Sequence, residues 1–429
     1  MAEWGGLGRG LFPTTQNEVQ VGITVVKKSN LKKRKPNAVK ALILAGGAIT
    51  GGSFKAGGIK ALNDYFTNFS ITDFDIFVGI SSGSLLAAPL MGGVSPESIL
   101  RSLDGTSKHF SSLNAWHYYR PNILEWIKRP LDFLLKAVQA PLDLLTKGDL
   151  DFPTLLSVLP SGIFDNKPIE EYLRENIERN NLTNDFQVAK QMTNKSLYIC
   201  AMALDGAKRV IFGPDEKNDV TISEAVQAST AMPGFYKPAR IQGIDYVDGG
   251  VQETANIDVA IKKGAELIVC YNPFRPYDPN GIKKDSSKEK KRSRCSGRLS
   301  DSGVIEVLNQ IFRAFFHARL HVALEQFRQD PNFKGDIILI EPSASDSDFF
   351  KLNPLILSNR LEAARLGFRS VRNSIEAKFD EVAEIFAGYG IKMSKVGVED
   401  RFKKITKKGV SDTEIQALLE GRKKHNAFL

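Results

Sequence analysis

A chain of 429 residues with 42% hydrophobic and 25% charged side chains has the make-up of a globular protein of one large or about two to three ordinary domains, which excludes disordered, collagen-like and disulfide-stapled classes. Its net charge of +9 is local: Lys27 to Lys40 holds seven positive and no negative side chains, and Lys283 to Arg298 holds eight positive and two negative. Cys200, Cys270 and Cys295 are scattered, which fits neither a metal site nor a disulfide framework.

Met1 to Thr14 is glycine-rich and has neither the basic start nor the apolar run of a secretory signal. No segment reaches the roughly 18 apolar residues of a bilayer span. The expectation is a cytoplasmic protein whose membrane contact is peripheral, with the basic segments drawn to anionic lipid headgroups. Nucleic acid is not expected as a partner, because there is no aromatic-interleaved RNA motif and no helix-turn-helix signature. The sequence carries no signal of oligomeric state.

In chain order, residues 1–38 read as a basic N-terminal arm. Val39 to Ala45 is a short apolar run ending in glycines, which predicts a buried strand. Gly46-Gly47-Ala48-Ile49-Thr50-Gly51-Gly52 leads from it into Ser53 to Phe66, a helix by spacing whose first turns Gly57 and Gly58 weaken. Asp75 to Val78 predicts a second strand, Gly79-Ile80-Ser81-Ser82-Gly83 a turn, and Ser84 to Met91 another helix. Such alternation predicts a mostly parallel sheet with helices on its faces, whose ligands collect beyond the carboxyl ends of the strands. Both glycine turns fall there.

Residues 123–160 carry leucines and other apolar side chains at near-helical spacing, broken by Pro130 and Pro141, and predict broken helices packed on the core or, as the rival, a cap over an apolar pocket. Leu197 to Leu204, Arg209 to Phe212, Glu266 to Tyr271 and Asp336 to Glu341 read as further strands, with Ile257 to Gly264 as a crossover helix. Residues 281–302 are polar and basic and predict a mobile loop. Val304 to Arg328 is a long amphipathic helix whose Phe312, Phe315, Phe316 and Phe327 are expected in the core. The charge-rich tail from Ser374 is helical in pattern, with breaks near Gly388, Gly390 and Gly409.

Chemistry concentrates in three places. Gly79-Ile80-Ser81-Ser82-Gly83 is G-x-S-x-G between a strand and a helix, a turn so tight that it holds its central serine out as a nucleophile. Gly46 to Gly52 lacks the lysine of a phosphate loop, having Gly52 there, and has Ala48 where a dinucleotide fingerprint needs glycine. What remains is a row of backbone N–H groups able to hold an oxyanion. A serine needs a base, and no histidine lies in a glycine-bounded strand-end turn, whereas Asp248-Gly249-Gly250 does, after the strand Ile244 to Val247.

This ordered set resembles the three hallmark blocks of the patatin-like phospholipase family. Ala228 to Phe235 and Ile163 to Pro168 resemble two further blocks, and the likeness covers about Ala41 to Glu341. The resemblance implies a three-layer α/β/α fold with a mostly parallel central sheet, forming a catalytic domain over 39–345, with 346–429 as a helical C-terminal extension. It implies a serine acyl hydrolase acting on fatty-acyl esters of (lyso)phospholipids. Ser81 is then the nucleophile and Asp248 the base, with the N–H groups of Gly46, Gly47 and Ala48 as oxyanion hole and Gly51, Gly79, Gly83, Gly249 and Gly250 supporting the motifs. The chemistry needs no metal or other cofactor.

Two departures stand out. The family usually has a third glycine where Ala48 stands, so a positive φ there would cost about 1 kcal/mol or more. It usually has arginine or lysine where Thr50 stands, and loss of that charge weakens the hole. Activity is expected to be real but modest or selective. Two rival functions follow: an esterase acting on neutral lipid or storage polyester on a droplet or granule, and a lipid-binding or regulatory protein with a quiescent dyad. His317 and His321 share one helix face, but Ala318 stands where a zinc peptidase has glutamate. His321 as a catalytic third member, in the chain order Ser, Asp, His, is a further alternative.

Overall fold

The computed structural model describes residues 21–107, 110–139, 158–277, 299–396 and 398. Its main sheet has nine strands: β1 (Ile23–Lys27), β2 (Lys40–Leu44), β3 (Ile76–Ile80), β5 (Ser196–Ala203), β6 (Lys208–Phe212), β8 (Ala239–Ile241), β9 (Ile244–Asp248), β10 (Leu267–Tyr271) and β11 (Asp336–Ile340). The order is β1-β11-β10-β2-β3-β5-β9-β8, with β6 paired to β5. The central pairs from β11 to β5 are parallel, and the edges are antiparallel. Short strands β4 (Gly162–Phe164) and β7 (Gly234–Tyr236) form a separate pair.

The parallel strands are buried on both faces, and their side chains alternate between two cores. Leu42 and Leu44 of β2 join one cluster, with Phe54, Ile59 and Leu62 of helix α1 (Ala48–Tyr65) and residues of α2 (Ser84–Met91). Ala41 and Ile43 join the other, with Ile257, Val259 and Ala260. Helix α3 (Ile123–Gln139) contributes no residue to either core, helix α4 (Ile222–Thr230) packs in the first core, and Leu320 and Leu324 of α5 (Val304–Gln329) pack in the second, all among the described residues. The result is the expected three-layer α/β/α fold with a mostly parallel sheet.

Several expectations are corrected. The basic arm carries β1, whose antiparallel pairing with β11 makes it a sheet edge. Four of the seven basic residues of Lys27 to Lys40 are engaged by the protein. Lys27 meets Glu384 at 2.9 Å, Lys28 donates to the carbonyls of Phe327 and Asp330, Lys35 pairs with Glu266, and buried Lys40 donates to the carbonyls of Pro36 and Ala38. The segment between β1 and β2 lies at the amino end of the parallel strands, the end remote from both glycine turns.

The C-terminal segment, as far as its described residues reach, packs into the fold. Helix α6 (Arg360–Ala377) crosses α1 at backbone contact, where a Cβ on Gly57 would sit 1.8 Å from the Ala364 carbonyl oxygen and one on Gly367 1.9 Å from that of Phe54. Gly57, read from sequence as a weakness in α1, is what allows this crossing. Helix α3 continues through Pro130, and Trp126, whose carbonyl the proline leaves without its helical donor, is an exposed residue. Leu124, Ile127 and Leu131 of this helix face solvent at 80%, 64% and 52% exposure, not the core. Phe312 and Phe315 are likewise about half exposed, so the α5 aromatics are only in part core. Pro141, Cys295, the 281–298 part of the basic loop, and the tail beyond 398 lie outside the described residues. Among the described residues no helix is long and apolar enough to cross a membrane.

Candidate active site

The serine turn is as tight as its glycines require. A Cβ on Gly83 would come within 2.0 Å of the Leu44 carbonyl oxygen, and one on Gly79 within 2.5 Å of the Ser84 Cα. Between them Ser81 is buried with φ 53°, a left-handed conformation costing roughly 1–2 kcal/mol in an L-residue. The surroundings hold it there. The Ser81 N–H donates to Ser229 Oγ at 2.8 Å, the Ser229 hydroxyl donates to the Cys200 carbonyl at 2.6 Å, and the Ser84 hydroxyl donates to the Ser81 carbonyl at 2.6 Å.

Ser229 was not singled out by sequence reasoning, although the block Ala228 to Phe235 contained it. It sits on α4, which buried Asn166 of the Ile163 to Pro168 block anchors by donating to the Gln227 carbonyl at 2.7 Å. The two supporting blocks thus brace the elbow together. Ser229→Ala would leave the buried Ser81 N–H without an acceptor. It is expected to cost about 1–3 kcal/mol, read as a lower midpoint in urea at an unchanged m-value.

Strand register brings the aspartate turn to the serine turn. Ile80 pairs with Cys200 across β3 and β5, and the next residue, Ala201, pairs with Asp248 across β5 and β9. Asp248 donates its N–H to the Ala231 carbonyl at 2.9 Å and accepts the Gly250 N–H at 2.8 Å. Gly249 must be glycine, because its Cβ would lie 2.3 Å from the Cys200 carbonyl oxygen. Burial pushes the Asp248 carboxyl up to about 6; hydrogen bonds from the Ser81 hydroxyl and the Gly250 N–H, and the charge of Lys55, hold it from rising further.

The glycine loop closes the site. Gly46 adjoins the serine, its Cβ position being 3.3 Å from Ser81 Cβ, and Ala48 has φ 52°, the strained conformation anticipated for that position. Its amides fall into two sets. Ile49 and Thr50 both donate to the Pro354 carbonyl at 3.0 and 3.2 Å, and Gly51 donates back to Gly47. Among the described residues no acceptor meets the N–H groups of Gly46, Gly47 and Ala48.

Beside these groups opens a mainly apolar cavity that Ala48 and Ser81 help to line. Leu85 and Leu86 of α2, Phe110, Tyr172, Met232 and Phe235 contribute to its walls, and among the described residues no charged side chain lines it. The arrangement can therefore take an uncharged, chain-like group.

His321 is not brought to Ser81. It lies on α5, and its Nε2 faces Glu341 Oε2 at 3.0 Å, with His317 Nε2 3.6 Å from the same oxygen. Glu341 follows β11, three strand positions from β3. Burial raises the Glu341 carboxyl, but the two imidazoles outweigh it and hold the group well below the usual carboxylate range. Asn272 donates to its other oxygen at 2.8 Å, so the cluster is internally hydrogen-bonded. Cys200 and Cys270 are buried free thiols.

Comparison with known proteins follows the same lines. The chain is 26% identical over 256 residues to the probable lipid hydrolase 463L of Invertebrate iridescent virus 6, covering 57% of this chain and 74% of that protein. It is 26% identical over 181 residues to the protein YjjU of Escherichia coli (strain K12), covering 41% of this chain and 44% of YjjU, less than half that relative's length. Among solved structures, VipD from Legionella pneumophila aligns at 14% identity with a TM-score of 0.35, covering 83% of this chain and 70% of VipD. Human GIVD cytosolic phospholipase A2, in complex with methyl gamma-linolenyl fluorophosphonate, aligns at 11% identity with a TM-score of 0.32, covering 82% and 59%. With the patatin-like phospholipase family model matching residues 42–261, slightly more than half of the sequence, the chain belongs to that family.

Proposed function

We propose that this protein is a serine acyl hydrolase cleaving fatty-acyl esters of (lyso)phospholipids. Ser81 Oγ attacks the acyl carbonyl carbon while its proton passes to the Asp248 carboxylate, and the carbonyl electron pair moves onto an oxygen held by the N–H groups of Gly46, Gly47 and Ala48. Collapse breaks the bond to the alcohol, which takes the proton from Asp248 and leaves acyl-Ser81. Water, deprotonated by Asp248, repeats the sequence and releases the fatty acid.

The observation that carries this reading is the pairing of a strained, buried serine with a buried carboxylate whose raised value still leaves it ionised at neutral pH. The open amides and the uncharged cavity suit the oxyanion and the acyl chain. Tyr118, a cavity residue, comes shortly before α3 in the chain, and the exposed Leu124, Ile127 and Leu131 of that helix suit a surface that meets lipid. On this reading peripheral membrane contact is assigned to that face; the Lys27 to Lys40 segment lies at the amino end of the parallel strands.

A fluorophosphonate probe tests the nucleophile. Wild-type protein is expected to become labelled and to release fatty acid from phospholipid vesicles, with both lost in Ser81→Ala. Equal labelling of the variant would defeat the assignment, and unlabelled wild-type protein would favour the quiescent, lipid-binding reading.

A further inference from the structure

Lys55, in the second turn of α1, is fully buried, and the three motifs do not include it. Its Nζ donates to the Ala45 carbonyl, to the Gly46 carbonyl at 2.7 Å and to Ser82 Oγ, next to the serine, at 3.2 Å. Among the described residues no carboxylate lies within ion-pair distance of it. The charged or titratable groups that act on it are Asp248 on β9 and Cys270 on β10.

A trans peptide points its C=O and N–H in opposite directions. A cation gripping the Ala45 carbonyl therefore turns the Gly46 N–H away from itself, and gripping the Gly46 carbonyl does the same to the Gly47 N–H. Those are two of the three amides that lack an acceptor, and Gly46 abuts Ser81. The loop would otherwise be free to rotate these peptide planes, since glycine imposes little backbone preference.

We propose that Lys55 is a positioning residue for acyl transfer, its ammonium fixing the Ala45 and Gly46 carbonyls so that the opposite amides face the ester oxygen, and serving as counter-charge to the oxyanion. The proposal rests on the Ser81 and Asp248 reading. As Ser81 attacks, the proton moves to Asp248 and the negative charge passes from that carboxylate to the substrate oxygen. One positive charge beneath the loop serves both states, and among buried groups a fixed charge acts strongly.

Burial lowers the Lys55 ammonium to about 7, against the opposing pull of Asp248 and Cys270. Wild-type turnover should thus rise as Asp248 ionises and fall as Lys55 loses its proton, giving a narrow bell.

The test uses the full chain, with 4-nitrophenyl butyrate as substrate and circular dichroism to establish folding. Lys55→Met is expected to lower kcat about 10²–10³-fold, as for loss of an oxyanion donor, with KM within about three-fold. Lys55→Arg, whose guanidinium keeps its charge, is expected to recover at least about ten-fold of that loss and to abolish the alkaline limb. A folded Lys55→Met with near wild-type kcat and an unchanged pH profile overturns the proposal. Should Lys55→Met not fold, an alkaline limb persisting in Lys55→Arg overturns it equally. Ser81→Ala separates the two readings: if that variant is inactive while Lys55→Met is not, only the role of Lys55 falls, and if it stays active the dyad itself fails.

Discussion

Asp248→Asn is expected to yield a protein that withstands more denaturant at pH 7 to 8 than the wild type and turns over almost nothing. The catalytic loss follows from removing the base, worth on the order of 10²–10⁴-fold, and the acid limb of the pH profile near 6 should vanish with it. The gain in stability has the opposite origin. A carboxyl whose ordinary value of 3.8 is raised by burial to about 6 binds its proton more tightly folded than unfolded. Its destabilising contribution is absent below 3.8, grows through that interval and is complete above 6. At neutral pH it approaches roughly 3 kcal/mol. The neutral amide escapes this cost, although Lys55 then loses the Asp248 charge that offsets its own burial, so a net gain of about 1–2 kcal/mol is expected. Urea unfolding of both proteins at pH 5 and pH 8 checks the sign: the difference should widen with rising pH.

Gly367→Ala should be strongly damaging although it lies far from the serine in the chain. Its new methyl would lie 1.9 Å from the Phe54 carbonyl oxygen, and backbone on both sides leaves no side chain to move aside. Separating α1 from α6 exceeds ordinary overpacking, so a loss of about 3 kcal/mol or more is expected, measured as the urea midpoint at constant m-value. The effect should reach turnover too. Phe54 precedes Lys55, and the Pro354 carbonyl just before α6 receives the Ile49 and Thr50 amides. A shift of α6 therefore displaces the glycine loop.

The turns at Ser81 and Asp248 were readable in the sequence because close backbone approach leaves glycines that nothing else explains, as at Gly83 and Gly249. The order of strands and helices was readable because buried parallel strands are short apolar runs ending at such turns. Ser229 and Lys55 were not: a serine or a lysine within a helix looks like any other, and their partners are set by strand register and helix placement. Spacing along α3 and α5 identifies helices but not which apolar stripe is buried: residues 123–160 read as core or as a cap and Phe312 as core, whereas Leu124 and Phe312 face solvent. Ile23 to Lys27 did carry a strand signal in its β-branched Ile-Thr-Val-Val run, obscured by the lysines that follow. The positive charge usual at position 50 is absent, but Lys55 approaches the same loop from the interior.

The position of the Lys27 to Lys40 segment has a further consequence. Five residues of β2 at about 3.3 Å each separate its end from the catalytic rim, a depth of roughly 17 Å, against a Debye length of about 8 Å at physiological ionic strength. A bilayer touching the rim would find those lysines electrostatically out of range. Any salt-sensitive adhesion to anionic vesicles must then originate in other cations, and stripping charge from this stretch would leave the docked orientation as it was.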